Sequence, residues 1–592
     1  MESVTRRAAE GASQHTEKAE QRGRAVVFHI AWFLPCLVVW MWFYTTQFKG
    51  LVLPDAMDAA QVGRQISEGR GFTTQFLRPL SLAKVSAVSR HPDLENAPLY
   101  PLLLAIAFNV TRPDDRTVAF GSMAFGFLAV LTSYSLAVRL MGRQGAWLAA
   151  VLVALQAELL RVSLSGLNVS LLAFIVTLMF VVILKHRGAA AWSVLCGGIC
   201  ALAYLTEYAA LALGLPALGV LLVGQRSQRL RHAVLFAAGF VILAAPWLLR
   251  NWAVSGNPFP GMGAYSLATY SRTYPEMSLY RMWDASEGTS LSFLAAHPGQ
   301  VARKFLVNMG SLEASIPALY GLYLLPLVGL ALFLDLGRNG GNRTKWGLVA
   351  GVLCLGGAVA VGGPRFELLA ALLGVAGAVG ATAFVAALRG RRLSARARAG
   401  ATASVLALAV FPLVLAAFVS PVGETPDRRN LRYLGRVLPE DALVVTDQPW
   451  AVAWYSGLTA VWTPEASVSA PREGEQLLLS VAADPTRSKS FAALERAGVS
   501  PDAIFLSAQL PTYAASERVG QWQLLHELMR GQLKALQNGQ ATGTAWTPPG
   551  WRLAASLPPN EFLLVRAEGS QASETREAPR GEGESAGEFG GS

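Results

Sequence analysis

The sequence predicts a polytopic α-helical membrane protein with about eleven transmembrane helices, followed by a small extracytoplasmic α/β domain. Apolar runs of about 17 to 25 residues recur along the chain. Only 15% of its 592 residues are charged, and its mean hydropathy is +0.37. A third observation, the placement of Lys and Arg, orients the spans. The formal net charge of +11 comes largely from short loops between apolar runs. Membrane topology accounts for it, and no nucleic-acid partner is expected.

The apolar runs fall at 25–46, 117–140, 144–160, 164–184, 189–206, 207–224, 231–249, 316–336, 346–361, 364–388 and 400–420. Residues 1–24 are polar, and no small-residue cleavage site follows a short apolar core, which predicts an uncleaved cytoplasmic tail. With that tail inside, the loops MGRQ, KHRG, GQRSQRLRH, GRNGGNRTK and RGRRLSARARAG are also inside, and each carries Lys or Arg. The resulting map is a 25–420 membrane domain with outer loops 47–116 and 250–315, and an outer segment from 421 onward. The location expected is a bacterial inner membrane.

Within the first outer loop, APLYPLLLAIAFNV is too short to cross and is expected as an interfacial helix. The loop 250–315 is rich in Tyr, Pro and Gly and suits a folded cover over an outer cavity. After residue 421, RNLRYLGRVL and PWAVAWYSG read as helices, and ALVVTD, TAVWTP, AIFLSA and FLLVRAE read as strands. This α/β domain is expected over 421–566, with a disordered tail at 567–592. Cys36, Cys196, Cys200 and Cys354 all lie in apolar runs and read as buried thiols.

The stretch PDAMDAAQVGRQISEGRGFTT places Asp55 and Asp58 directly after the first apolar run. A helix starting at Pro54 would put both carboxylates on one face. A carboxylate held beside Arg64 at the membrane edge can stay ionised and accept a proton from a hydroxyl or amine nucleophile. The competing possibility is an ordinary polar loop with an Asp cap.

The order of motifs resembles the GT-C superfamily of membrane glycosyltransferases, in its protein mannosyltransferase-like and lipid A aminoarabinose transferase-like branch. The carriers are Asp55, Ala60, Arg64, Gly69, Gly71 and Phe72, then ENAPLYPLLLA at 95–105 and APWLLRNWAVSGNPF at 245–259. PRFELLAALL at 364–373 and LPEDALVVTDQPWAVAWYSGLTAVW follow in order. The resemblance implies a GT-C-like core and an enzyme that passes a sugar from a polyprenyl-phosphate carrier to a glycolipid, glycan or protein acceptor at the outer face.

It further implies an inverting single displacement with Asp55 as base, and Asp58 or Glu207 as an acceptor-binding or second carboxylate. Arg64, Arg78, Arg250, Arg365, His91 and His297 are the candidates for the donor phosphate, since guanidinium pairs with phosphate through parallel donors. Lys84 and Arg90 are further basic residues of the first loop.

Two departures from the family pattern stand out. Asn168 occupies a place where an acid is expected, and Glu207 one where Arg is usual. They leave open both a divalent metal and a degenerate site. Glu158 beside Arg161 reads as a local ion pair. The alternatives from other classes are a lipid-linked saccharide transporter or flippase, and a non-catalytic membrane-anchored assembly protein.

Overall fold

A computed structural model describes residues 32–567, apart from 186–188, 224–227, 260–262, 284–289, 338–339, 392, 419–427, 466, 470–483, 509, 511–517, 539–545 and 559. The expected tail 1–24 lies outside the described residues, as does the expected tail 567–592 apart from Ala567.

Among the described residues, every apolar run read from the sequence falls mainly on helix, but the runs are not eleven equal spans. Six described helices are individually long and apolar enough to cross a bilayer: Asp115–Met141, Arg229–Ser255, Pro298–Phe333, Gly341–Gly362, Phe366–Gly390 and Ala395–Ala416. Arg143–Ala154 and Ala157–Leu164 form an apolar pair bent by 55°, the geometry of a broken span or a re-entrant loop. Val169–Lys185, Ala190–Thr206 and Tyr208–Val223 are shorter apolar helices, the last beginning as a 3₁₀ turn at Tyr208–Leu213. The interfacial segment forms a helix at Leu99–Val110.

Burial separates the interior of the bundle from its rim. The most apolar window of Phe366–Gly390 is 94% buried and that of Ala395–Ala416 only 11%, so the first is the bundle's centre and the second faces lipid. Small residues let helices approach closely where no hydrophobic force drives them together. A Cβ on Gly197 would meet the backbone of Phe236, and one on Gly239 the backbone of Val194, so Ala190–Thr206 and Arg229–Ser255 touch main chain to main chain there. The long Pro298–Phe333 helix is broken at Gly321, whose φ of +70° suits glycine.

Outside the bundle stands a six-stranded sheet built from β1 (Phe76–Leu77), β2 (Leu443–Thr446), β3 (Thr459–Trp462), β5 (Ala503–Leu506), β7 (Trp551–Leu557) and β8 (Glu561–Arg566), in the order β1-β3-β2-β5-β8-β7. β4 (Ser467–Ser469) and β6 (Arg518–Gly520) form a separate antiparallel pair. The first four strands run parallel, and β8 and β7 close the sheet antiparallel. β2 and β5 are buried at every position, as strands covered on both faces must be. Trp522, Leu525 and Met529 of Gln521–Gln537, with Phe491 and Leu494 of Lys489–Arg496, pack into the same core as Ile504 and Leu564.

The sheet is not confined to the chain after residue 421, because β1 comes from the first long loop and pairs with β3. Other contacts close the same seam. Arg64 donates to the carbonyls of Ala453 at 2.6 Å and Trp454 at 2.9 Å. Asp115, at the start of a membrane helix, accepts from Trp454 Nε1 at 2.7 Å and from the Tyr455 hydroxyl at 2.9 Å. Arg281 donates to the Thr463 carbonyl at 2.8 Å. The three long segments therefore gather at one end of the bundle.

Candidate active site

The site begins with the helix Pro54–Ser67. Pro54 occupies its first turn, where a missing N–H costs nothing, and Asp55 sits at the positive end of the helix dipole. The rest of the helix is buried from Ala56 through Gly63, Asp58 included. Both aspartates line one cavity of about 370 Å³, as a helix spacing of three predicts.

Their surroundings differ. The Asp55 side chain is 53% exposed, and its Oδ2 lies 3.1 Å from Arg365 Nη2. Arg365 also reaches Glu207 Oε2 at 3.3 Å. Glu207 in turn accepts from Asn168 Nδ2 at 3.2 Å, an amide that also donates to the Thr206 carbonyl at 2.8 Å. The two departures from the family pattern are thus in contact, and Glu207 is paired with Arg365. Glu158 and Arg161 form the local pair expected, at 2.6 Å.

Asp58 is buried and bound to Arg78 Nη2 at 2.7 Å, with Gln61 Nε2 donating at 3.0 Å. Burial raises its carboxyl above the ordinary range while Arg78 pulls it back. The Arg78 guanidinium also lies over the Phe76 ring at 4.0 Å. Glu95 completes the charged lining. Burial is the main cause that pushes its carboxyl up to about 7, with Arg78 opposing and Asp93 and Asp58 assisting. Its Oε2 has no hydrogen-bond partner among the described residues.

The remaining predicted residues lie elsewhere. Arg64, expected beside Asp55, turns away to the carbonyls of Ala453 and Trp454 and to Gln75, because those backbone groups lie within its reach at the seam. Arg250 donates to the carbonyls of Asp93 at 2.8 Å and Phe72 at 3.2 Å and stacks on Trp247, which fastens the first loop to a membrane helix. His91 is fully buried between the Ala87 carbonyl and the Ser81 hydroxyl. His297 packs on Phe293 at the start of Pro298–Phe333. None of these four lines the cavity; Asp55, Asp58, Glu207, Arg78 and Arg365 all do.

Residues not singled out from the sequence include Glu95, Tyr270, Tyr280, Trp450 and Trp462. Glu95 had a legible signal, an acid directly ahead of an apolar helix. The aromatic residues had none, since their meeting depends on how two distant loops fold. Tyr270 takes a positive φ of 55°, held by its N–H donating to the Glu276 carbonyl at 2.8 Å. Among the described residues no group of three or more His, Cys, Asp or Glu is placed to hold a metal ion.

Chemically, the cavity sets an exposed carboxylate against a guanidinium at one end and a buried ion pair at the other. Such a site can take a proton and stabilise a departing anion.

Residues 91–249 match the family model described as dolichyl-phosphate-mannose-protein mannosyltransferase. In structure the chain is similar to ArnT from Cupriavidus metallidurans bound to undecaprenyl phosphate, with a TM-score of 0.53 and 13% identity, covering 92% of this chain and 99% of that one. It is also similar to the oligosaccharyltransferase AglB from Archaeoglobus fulgidus in complex with an inhibitory peptide and a dolichol-phosphate. There the TM-score is 0.52 and the identity 12%, over 91% of this chain and 74% of that one. No curated protein matches the chain in sequence. A multi-pass bundle, a sheet region after it and these likenesses together show that the chain has the fold of the GT-C superfamily of membrane glycosyltransferases.

Proposed function

We propose that the chain is a membrane glycosyltransferase that moves a sugar from a polyprenyl-phosphate carrier to an acceptor at the outer face of the membrane. The observation that carries this is the run Asp55–Arg365–Glu207 in a cavity where the sheet and the loops meet the bundle. That ArnT is bound to undecaprenyl phosphate and AglB to a dolichol-phosphate supports a lipid-linked donor.

In the single displacement, the acceptor's oxygen or nitrogen attacks the anomeric carbon from the face opposite the phosphate. The carbon–oxygen bond to phosphate breaks, and its electron pair leaves on the phosphate oxygen. Asp55 takes the acceptor's proton, and its exposure leaves room for that nucleophile. Arg365, already within 3.1 Å of Asp55, orients the base in the resting chain and turns its paired donors to the phosphate when the donor enters. Glu207 keeps Arg365 in place and offers a second carboxylate to an acceptor. Arg78 is committed to Asp58 and shapes the buried end of the cavity.

The experiment is direct. The full-length chain in bilayer discs is given radiolabelled polyprenyl-phosphate sugars from source membranes, together with those membranes' glycans. Release of polyprenyl phosphate that depends on Asp55 is expected, and no release from a folded chain overturns the proposal. The side of the membrane is tested separately with single cysteines. An impermeant reagent on intact cells is expected to label Ser286→Cys and spare Ser13→Cys, and the reverse pattern overturns the orientation.

A further inference from the structure

A second cavity, of about 480 Å³, lies where the loop carrying Tyr270 to Arg281 meets the sheet. It shares Tyr270, Met277, Trp450 and Trp462 with the first, so the two spaces meet across one aromatic wall. We propose that this second cavity is the acceptor subsite and that the part of the acceptor it takes is a saccharide. This rests on the transferase function above and names the substrate class for it.

Three independent observations point there. The first is topology. In an open α/β sheet, ligands bind beyond the carboxyl ends of the parallel strands, where the strand order reverses. β2 is the strand from which the order runs outward to β3 on one side and β5 on the other. Asp447 and Gln448 follow β2, Thr463 follows β3, and all three line the cavity. Ser507 follows β5 and donates to Asp447 through its N–H at 2.9 Å and its hydroxyl at 2.6 Å, which fixes that carboxylate as an acceptor.

The second is an unsatisfied donor. Gln523 lines the cavity and is 7% exposed, and its Nε2 has no hydrogen-bond partner among the described residues. A buried amide in that state is costly unless a ligand completes it.

The third is composition. Trp450, Trp462 and Trp522 present indoles beside the carboxylate of Asp447 and the amides of Gln448 and Gln523. Flat apolar faces set among carboxylate and amide groups match a pyranose, which has C–H faces and a rim of hydroxyls. An acyl chain would strand these polar groups. Among the described lining residues a polyanion would find a single cation, Arg281, and that side chain is already bound to Thr463.

The test uses the purified full-length chain and saturation-transfer NMR. The probes are linear neutral oligosaccharides of two to six hexose units, and oligosaccharides released by mild acid from the source cells' envelope. Transfer from protein to sugar protons is expected. It should vanish in Ser278→Trp, which fills the cavity from its rim, and affinity should fall about three- to tenfold in Gln523→Leu, the loss of one hydrogen bond.

Ser278→Trp keeps the test decisive if Gln523→Leu does not fold. No transfer to any probe from folded wild type, or equal transfer in Ser278→Trp, overturns the proposal, as does displacement of the sugar by a sugar-free phospholipid. Sugar binding that persists in a chain that never consumes donor would instead mean that the transferase function has failed while the saccharide site stands.

Discussion

The two cavities share a wall but are built for different work. The first is ionic: Asp55, Asp58, Glu95 and Glu207 face Arg78 and Arg365. Away from the shared wall, the second sets Asp447 beside the Gln448 and Gln523 amides and the Trp522 ring, with Glu276 and Arg281 its other charged lining residues. Charge concentrated in one space stabilises a transition state that separates charge, whereas neutral donors and flat faces select a ligand without altering its reactivity. The comparison teaches that position along the wall, not membership of one large pocket, divides chemistry from recognition.

The strongest way to break that division is Asp55→Asn, which keeps the shape and removes the base. Turnover at saturating donor and acceptor should drop about a hundredfold to ten-thousandfold, with sugar binding in the second cavity unchanged. If sugar binding fell in parallel, the two spaces would be one functional unit.

Asp58→Asn should act on the fold instead. It leaves Arg78 buried without its carboxylate, a loss of about 3–5 kcal/mol by the usual cost of breaking a buried pair. Thermal unfolding in detergent should show a lowered midpoint and a poor folded yield. A stable Asp58→Asn chain with a larger turnover loss than Asp55→Asn would move the base to Asp58.

Arg365→Gln should weaken donor saturation by about tenfold to a hundredfold, the worth of one charge-assisted contact with phosphate. Unchanged donor saturation in a folded variant would confine Arg365 to holding Asp55 and Glu207.

The smallest effect expected is on pH dependence, through Glu95. Its carboxyl is raised in the folded chain from 4.5 to about 7, so the native state holds a proton that the unfolded state has lost across that window. The Glu95 contribution to stability is therefore greatest below about 4.5, falls as pH rises towards 7 and is flat above it, with on the order of 2 kcal/mol of that fall between pH 5 and pH 8. Thermal midpoints at pH 5 and pH 8 should differ accordingly, and Glu95→Gln should shrink the difference.

Much of this architecture is legible along the sequence because its signals are local. Apolar runs mark helices, and ALVVTD and AIFLSA carry the apolar character of strands buried on both faces. The helix that sets Asp55 and Asp58 is announced by Pro54 and by spacing. What is not legible depends on distant partners. Phe76–Leu77 has too few residues for any periodicity and becomes a strand only because β3 lies beside it. Arg64 and Arg365 are equally plausible phosphate ligands by residue type. One is drawn to backbone carbonyls and the other to two carboxylates, a difference that only packing decides.

The pairing of β1 with β3 sets a clock on the molecule. Phe76 pairs with Ala460 and Leu77 with Val461, so on the ribosome this edge of the sheet waits for 384 further residues, the interval from 76 to 460. At about 5–20 residues per second that is roughly 20 to 80 seconds. In that interval the bundle can insert while the wall of Trp450 and Trp462 does not yet exist. The chain thus passes through its early life in the membrane with its carboxylates made and its cavity unassembled until the last quarter of the protein arrives.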